Sequence, residues 1–451
     1  MANYNIDKYN NYCRTFEELT YESYTYDVQP DGLHIAFLFR IGEKVEFRPT
    51  AWVLQRDFLD FRQPKEVMDR LVFNIGMVEL VSYWKSLCPG KINIRCGALD
   101  ASQQRFWKKL YWNGLGEFFY VNGIPATEED FFEWEISGTE QAGEKNTEPL
   151  DFTRYLVPIG GGKDSVVTLE ALKKRREVRP LIMNPRGATL ECAEKGGYPR
   201  SEILEIRRTI DPNLLDLNAR GCLNGHTPFS AMLAFYTLLA SQLSGIGNIA
   251  LSNESSANES TVAGTTVNHQ YSKSLEFEND FRGYTSQYMG AYNYFSFLRP
   301  LSELQIGMLF AREEKYFDVF KSCNVGSRQD IWCGHCAKCL FAYIILSPFI
   351  APERLNRIFG KNMLDDPDMR LEFEQLTGRA ETKPFECVGT ISEVNSALSM
   401  TLRKWYPDNR PQLLKTYEAQ APVTPLHTLF PDSNLSSEEL NILRQCIENQ
   451  H

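Results

Sequence analysis

The segment Tyr155-Leu-Val-Pro-Ile-Gly-Gly-Gly-Lys-Asp-Ser-Val-Val-Thr-Leu-Glu170 changes its residue pattern twice within a few turns of chain. Leu156, Val157 and Ile159 read as a buried strand. Gly160, Gly161 and Gly162 form a turn, and Lys163-Asp164-Ser165 open a helix whose Val166, Leu169 and Leu172 share one face. Lys173, Lys174, Arg175 and Arg176 follow at the end where cations suit the helix dipole. Glycines between a strand and a helix N-terminus let bare backbone N–H groups close around an anion, most often a phosphate. The segment is not a Walker A loop, because Val157 replaces its first glycine and Asp164 separates Lys163 from Ser165. It also fails G-x-G-x-x-G, since Ser165 stands where the third glycine belongs. An ordinary tight strand-to-helix turn is the competing reading.

Working outward, strands and helices alternate from Phe152 onward, the pattern of an α/β doubly wound parallel sheet. Strands are expected at 154–159, 180–184, 202–208, 247–252 and 294–298. Thr227 is expected as the N-cap of an apolar helix with Pro228 at its first position, ending near Gly245. Ligands in such sheets sit beyond the carboxyl ends of the strands. Three polar segments are therefore expected to gather at the glycine turn: Asn184-Pro185, Asn218 to His226, and Ser252 to Ser255. His226, just before a helix, is a candidate anion ligand or proton carrier, or a structural hydrogen bond in its turn. His269, Lys273 and Glu276 crowd into Val267 to Glu276, which suits either a substrate-facing segment or a solvated loop.

Residues 1–150 read as a separate α+β module. Strands are expected at 21–26, 34–40 and 44–54, helices at 66–87 and 102–111, and a strand at 92–96. The aromatic residues Trp107, Trp112, Phe118, Phe119 and Tyr120 read as core. Residues 138–150 suit a linker. The domain expectation is 1–150, 151–322 and 323–451, the last mostly helical: 340–349, 352–359, 366–376, 390–405 and 436–449, with Pro422 to Ser433 as a linker. At its start Cys323, Cys333, Cys336 and Cys339 have the spacing C-x9-C-x2-C-x2-C. Closely spaced thiols favour a four-coordinate structural Zn²⁺; reduced buried thiols and an Fe–S cluster are the rivals.

The 451 residues carry a formal net charge of −10, with 43% apolar and 24% charged residues, as in an ordinary soluble globular protein. The acidic balance argues against a nucleic-acid partner. The run Leu340 to Ile350 is too short to span a bilayer, and Met1 to Asp7 has no basic or apolar leader pattern, so no membrane partner is expected. Eleven cysteines, an odd number, suggest thiols and metal ligands in a reducing compartment, and a cytoplasmic location is expected.

Residues 160–165 resemble the pyrophosphate loop S-G-G-x-D-S of the ATP pyrophosphatases, with Gly160 in place of the leading serine. The wider chain resembles one family there, the UDP-N-acetylmuramoyl-L-alanyl-L-glutamate epimerases of bacterial peptidoglycan synthesis. The likeness is carried by Pro158 to Val167, Leu223-Asn-Gly-His226, Ser252-Asn-Glu254, Val267 to Ser274, Trp332 to Cys339 and Lys383-Pro-Phe-Glu-Cys-Val-Gly389. Ser82-Tyr-Trp-Lys85 and Gly116-Glu-Phe-Phe-Tyr120 carry it more loosely. The resemblance implies an adenine nucleotide alpha hydrolase-like domain and an isomerase. It would use ATP and Mg²⁺ to invert the terminal L-Glu of a UDP-linked muramoyl dipeptide through an adenylated carboxylate, releasing AMP and pyrophosphate. It also implies that Gly160, Gly161, Gly162, Lys163 and Ser165 hold phosphates, with Asp164 near Mg²⁺ and Asn253 and Glu254 by the nucleotide. Asn224, His226, His269 and Lys273 are then the substrate and acid/base candidates, with Cys387 an outside one. The alternative is 7-cyano-7-deazaguanine synthase or another pyrophosphate-loop enzyme.

Overall fold

Leu33, Ile35, Phe37, Phe39 and Ile41 alternate with less buried neighbours, so the strand Gly32–Ile41 buries one face. The structure, a computed structural model, describes residues 2–43, 45–58, 63–139, 149–262, 264–265, 267–419 and 424–448. Gly32–Ile41 pairs antiparallel with Glu18–Gln29, Val45–Phe47 and Thr50–Leu54. Glu18–Gln29 pairs in parallel with Lys91–Ile94, which pairs in parallel with Glu133–Ile136. The helix Lys65–Leu87 is buried along almost its whole length and packs on Glu18–Gln29 and on the helix Phe229–Ser244.

Two compact units divide the chain, and neither is contiguous. One comprises Met1–Thr153, Leu204–Ile249 and Val267–Asn293; the other comprises Arg154–Ile203, Ala250–Thr266 and Tyr294–His451. These boundaries differ from the three consecutive domains expected from the sequence. The strand Leu204–Arg208, expected in a purely parallel sheet, pairs antiparallel with Thr50–Leu54, so the strand series is mixed. Its Arg208 donates to Glu79 of the long helix at 2.6 Å, with both side chains almost wholly buried. That ion pair and the strand pairing draw 204–249 into the N-terminal unit. An alternation of strands and helices along the chain carries no signal of this kind.

In the second unit Asp151–Pro158 pairs in parallel with Glu177–Met183, as expected. The strands Ile246–Leu251 and Asn293–Ser296 each begin in the first unit and end in the second. The helices Lys163–Lys173, Glu303–Phe310, Ala337–Leu346 and Ile391–Trp405 share one hydrophobic cluster that includes Leu169, Leu304, Leu340 and Leu398. Residues beyond 323 therefore share the core that backs the glycine turn. Much of the expected linker at 138–150 lies outside the described residues, as do residues 422 and 423 of the second linker and Asn449. Among the described residues no helix is long and apolar enough to cross a membrane.

Candidate functional site

The glycine turn has the form expected of it. The strand ends at Pro158 and the helix begins at Lys163, with Gly162 as an N-cap that offers no side-chain hydrogen bond. First-turn N–H groups without a side-chain cap suit an anion. Gly161 has φ +82° and backs onto Ala188, where a Cβ would lie 3.0 Å from the backbone carbon. Beside Gly160 nothing lies within 4 Å of such a Cβ, so that side of the turn is open. Ser165 turns its hydroxyl back to the Gly162 carbonyl at 3.0 Å.

Lys163 is buried and ion-paired with both Asp164 and Glu303. Burial opposes its charge, but the two carboxylates more than reverse this and hold the ammonium protonated. Burial pushes Glu303 up from the usual carboxylate range; Lys163 opposes the shift, while Asp164 and Glu254 add to it. Glu303 is a site residue that the sequence reading missed, since its only signal was a capping-box serine before it. Asn253 donates to Ser296 Oγ at 3.0 Å, and the Glu254 carbonyl accepts from Arg299 at 2.5 Å. The Oγ atoms of Ser252 and Ser256 are buried with no hydrogen-bond partner among the described residues.

Of the three segments expected at this turn, that of Asn184-Pro185 reaches it through Arg186, whose Nη2 donates to the Gly160 carbonyl at 3.5 Å. The Ser252 to Ser255 segment contributes Glu254 to the field around Glu303. The Asn218 to His226 run belongs to the other compact unit.

There a second cluster forms around the short helix Gly116–Asn122, which lay outside the helices expected from the sequence. Asn122 donates to the Asn224 carbonyl at 3.2 Å. Gly225 lies so close to this helix that a Cβ there would meet Phe118 at 3.2 Å. A side chain at 225 would push the turn away. Glu117, on the same helix, accepts a short hydrogen bond from Nδ1 of His269. The His226 and His269 rings lie 4.2 Å apart, tilted by 47°.

Lys85, near the end of the long helix, donates to the Gly225 carbonyl and, at 2.7 Å, to Thr227 Oγ1. Thr227 is therefore not the expected N-cap: Pro228 precedes the first helical residue, Phe229, and the threonine hydroxyl serves Lys85 instead. Burial lowers Lys85 to about 8, against the pull of Glu117. Burial, then His269, Lys85 and Lys273, lower His226 to about 3, so it is a neutral imidazole at ordinary pH.

His226, His269 and Lys273 lie near one another, but in the compact unit that does not hold the glycine turn where they were expected, and the Asn224 side chain is exposed and accepts from the Gly225 N–H. Glu276 pairs with Lys109 at 2.6 Å. Glu117 and Lys85 were missed as site residues. Both lie in Ser82 to Lys85 and Gly116 to Tyr120, the two N-terminal segments of resemblance to which the sequence reading attached no role.

None of the eleven cysteines is in a disulfide. Cys323, Cys333, Cys336 and Cys339 converge, with Sγ separations of 3.9 Å (323 to 336), 3.7 Å (333 to 339) and 3.5 Å (336 to 339). A tetrahedral ion with metal–sulfur bonds of about 2.3 Å sets its sulfurs about 3.8 Å apart, so the donor set fits one. Lys338, within the knuckle, is buried and donates to the Cys387 carbonyl, which makes Cys387 part of the packing of this loop.

Two family models match the chain: the MurL N-terminal domain over residues 10–297 and the MurL C-terminal domain over residues 319–426. The chain is 36% identical over 345 residues to a UDP-N-acetyl-alpha-D-muramoyl-L-alanyl-L-glutamate epimerase of Salinispora tropica, covering 74% of this chain and 73% of that protein. It is 37% identical over 337 residues to a protein of the same name from Xanthomonas oryzae pv. oryzae, covering 72% and 73%. A third, from Micromonospora sp., is 35% identical over 341 residues, covering 74% and 75%. The matched lengths take in the glycine turn, the imidazole cluster and the cysteine knuckle, and the chain belongs to the UDP-N-acetyl-alpha-D-muramoyl-L-alanyl-L-glutamate epimerase family.

Proposed function

We propose that this protein inverts the α-carbon of the terminal L-Glu of UDP-N-acetylmuramoyl-L-Ala-L-Glu, at the expense of ATP and with Mg²⁺, for cell-wall precursor synthesis. Family membership is the single observation that carries the reading. The two polar clusters supply its chemistry. An α-hydrogen beside a free carboxylate resists removal, because the resulting anion would carry two adjacent negative charges. ATP, when bound, supplies the remedy: adenylation of that carboxylate, with release of pyrophosphate and later of AMP, removes its charge and makes the carbonyl an electron sink. Each unit of acidity gained is worth about 1.4 kcal/mol to the proton transfer.

The uncapped helix start at Lys163 and the open space beside Gly160 support a nucleotide phosphate chain there. In this reading Gly160, Gly161, Gly162, Lys163 and Ser165 hold the phosphates, with Asp164 by Mg²⁺ and Asn253 and Glu254 by the nucleotide. His226, His269 and Lys273 handle the proton. Cys323, Cys333, Cys336 and Cys339 hold a structural Zn²⁺, whose four thiolates leave no open position for chemistry. The test is incubation with ATP, Mg²⁺ and the UDP-linked dipeptide, followed by the chirality of the glutamate recovered from the product. D-Glu formed only with ATP, with AMP and pyrophosphate, is expected. ADP and phosphate as products would overturn the adenylation step, and absence of D-Glu would overturn the whole reading.

A further inference from the structure

The His226 and His269 rings are in van der Waals contact, with centroids 4.2 Å apart. Two groups that serve opposite faces of one carbon must each stand about 3–3.5 Å from it, on either side. No carbon fits between these two rings, so they do not form an opposed pair. Their partners point to a different division of labour. Glu117 accepts from His269 Nδ1, which leaves Nε2 of that ring as the atom bearing the lone pair. Glu117 and His269 are well shielded, with side-chain exposures of 17% and 8%. The His226 ring packs against His269, and its turn is pinned by Lys85 through Gly225 and Thr227.

We infer that Glu117, His269 and His226 act as one proton-handling unit on a single face of the substrate carbon, with Glu117 the positioning residue that fixes the His269 tautomer. The inference rests on the epimerase reading. In the step itself the Cα–H bond breaks, its electron pair moves into the adjacent activated carbonyl, and the proton goes to the imidazole unit. The proton on the opposite face comes from a group outside the unit. Glu117, His226 and His269 also offer donor atoms within 4.8 Å of one another, as a metal site would. The ammonium groups of Lys85 and Lys273, which face His226, oppose a bare cation there.

The electrostatics define the signature of a positioning carboxylate. Glu117 stabilises the imidazolium that forms when His269 takes the proton, so its removal lowers the basicity of that ring. Deuterium entry at the glutamate α-carbon in D₂O reports proton removal, whereas substrate-dependent pyrophosphate release reports activation alone. The wild-type protein is run first: absence of D-Glu would sink the epimerase reading and this inference with it, whereas D-Glu without solvent deuterium would overturn this inference alone, because the proton removed would then be the one returned. Given D-Glu that carries solvent deuterium, Glu117→Gln is expected to lower deuterium entry about 100-fold, within the range for general acid–base groups. Pyrophosphate release persists, and the acid limb of the exchange profile moves to lower pH. Glu117→Asp restores part of the rate. His226→Asn, His269→Asn and the double variant are expected to lose exchange to about the same extent, because groups that act as a unit are not additive.

Exchange in Glu117→Gln at the wild-type rate with an unmoved acid limb would overturn the inference while leaving the epimerase reading intact. Losses that multiply in the double variant would also overturn it. In the wild-type chain, a downfield imidazole proton in the NMR spectrum that vanishes in Glu117→Gln provides a readout independent of turnover. Its absence from the wild type counts against the dyad.

Discussion

At the scale of single residues, charge and burial make the firmest statements. Lys163 is held by two carboxylates at the head of a helix, where it is the one side-chain ammonium of the glycine turn. Lys163→Ala is expected to abolish substrate-dependent pyrophosphate release while circular dichroism stays that of the wild type; release at the normal rate would remove the glycine turn from the reaction. His226 makes a prediction of another kind. In the unfolded chain an imidazole takes up a proton near pH 6.5. In the folded protein burial, His269 and two lysines hold His226 at about 3, so between those values the unfolded state binds the extra proton. Stability therefore falls as the pH drops through this window. His226→Asn should reduce that loss, measured as the difference in urea midpoint between pH 7 and pH 4.5. An unchanged difference would contradict the buried, neutral imidazole. The glycines and Lys163 stood out in the sequence as a strand-to-helix turn, His226 as part of an Asn-Gly-His turn before a helix, and His269 through the density of titratable groups from Val267 to Glu276. Glu303 and Glu117 did not stand out, since each is an acidic residue in the first turn of a helix, where acidic residues are common for reasons of dipole alone.

At the scale of elements, periodicity located most strands and helices but not their partners. Pro352–Phe359 has the bounds expected from the sequence, with the proline at its first position and a left-handed Gly360 after its end. Leu204–Arg208 was also located, yet its partner Thr50–Leu54 lies far away in the chain, and pairing at that range leaves no local trace. The tie between this strand and the helix Lys65–Leu87 is the Glu79–Arg208 pair, which Tyr236 completes by donating to Glu79 at 3.0 Å. Glu79 is 1% and Arg208 8% exposed, so removing one partner strands a buried charge. Glu79→Ala is expected to cost about 3–5 kcal/mol, read as a shift in denaturant midpoint. Glu79→Gln, which keeps a hydrogen-bond acceptor, should cost less. A loss below about 1 kcal/mol in the alanine variant would show that water reaches the guanidinium.

At the scale of the whole molecule, the question is whether the cysteine knuckle is an independent staple or part of the body that carries the glycine turn. The sequence suggested a separate C-terminal region, because the knuckle begins a stretch of helices without further strands. The packing argues otherwise. Cys323, Cys336 and Cys339 lie in the same hydrophobic cluster as Val166 and Leu169, on the helix that the glycine turn opens, and as Leu340 and Leu398. Lys321 donates its backbone N–H to the Gly161 carbonyl at 2.8 Å, two residues before the first of these cysteines. If the four thiolates bind Zn²⁺ as proposed, purified protein should contain about one zinc per chain, since four thiolates complete one tetrahedral site. Loss of the metal should then spread beyond the knuckle, because a shared core opens cooperatively. In Cys336→Ser, hydrogen exchange followed by mass spectrometry is expected to lose protection at 163–173 as well as at 337–346, and pyrophosphate release to fall with it. Protection lost at 323–339 alone would make the knuckle a local clip. A metal-free wild-type protein of unchanged exchange behaviour would refute the zinc itself.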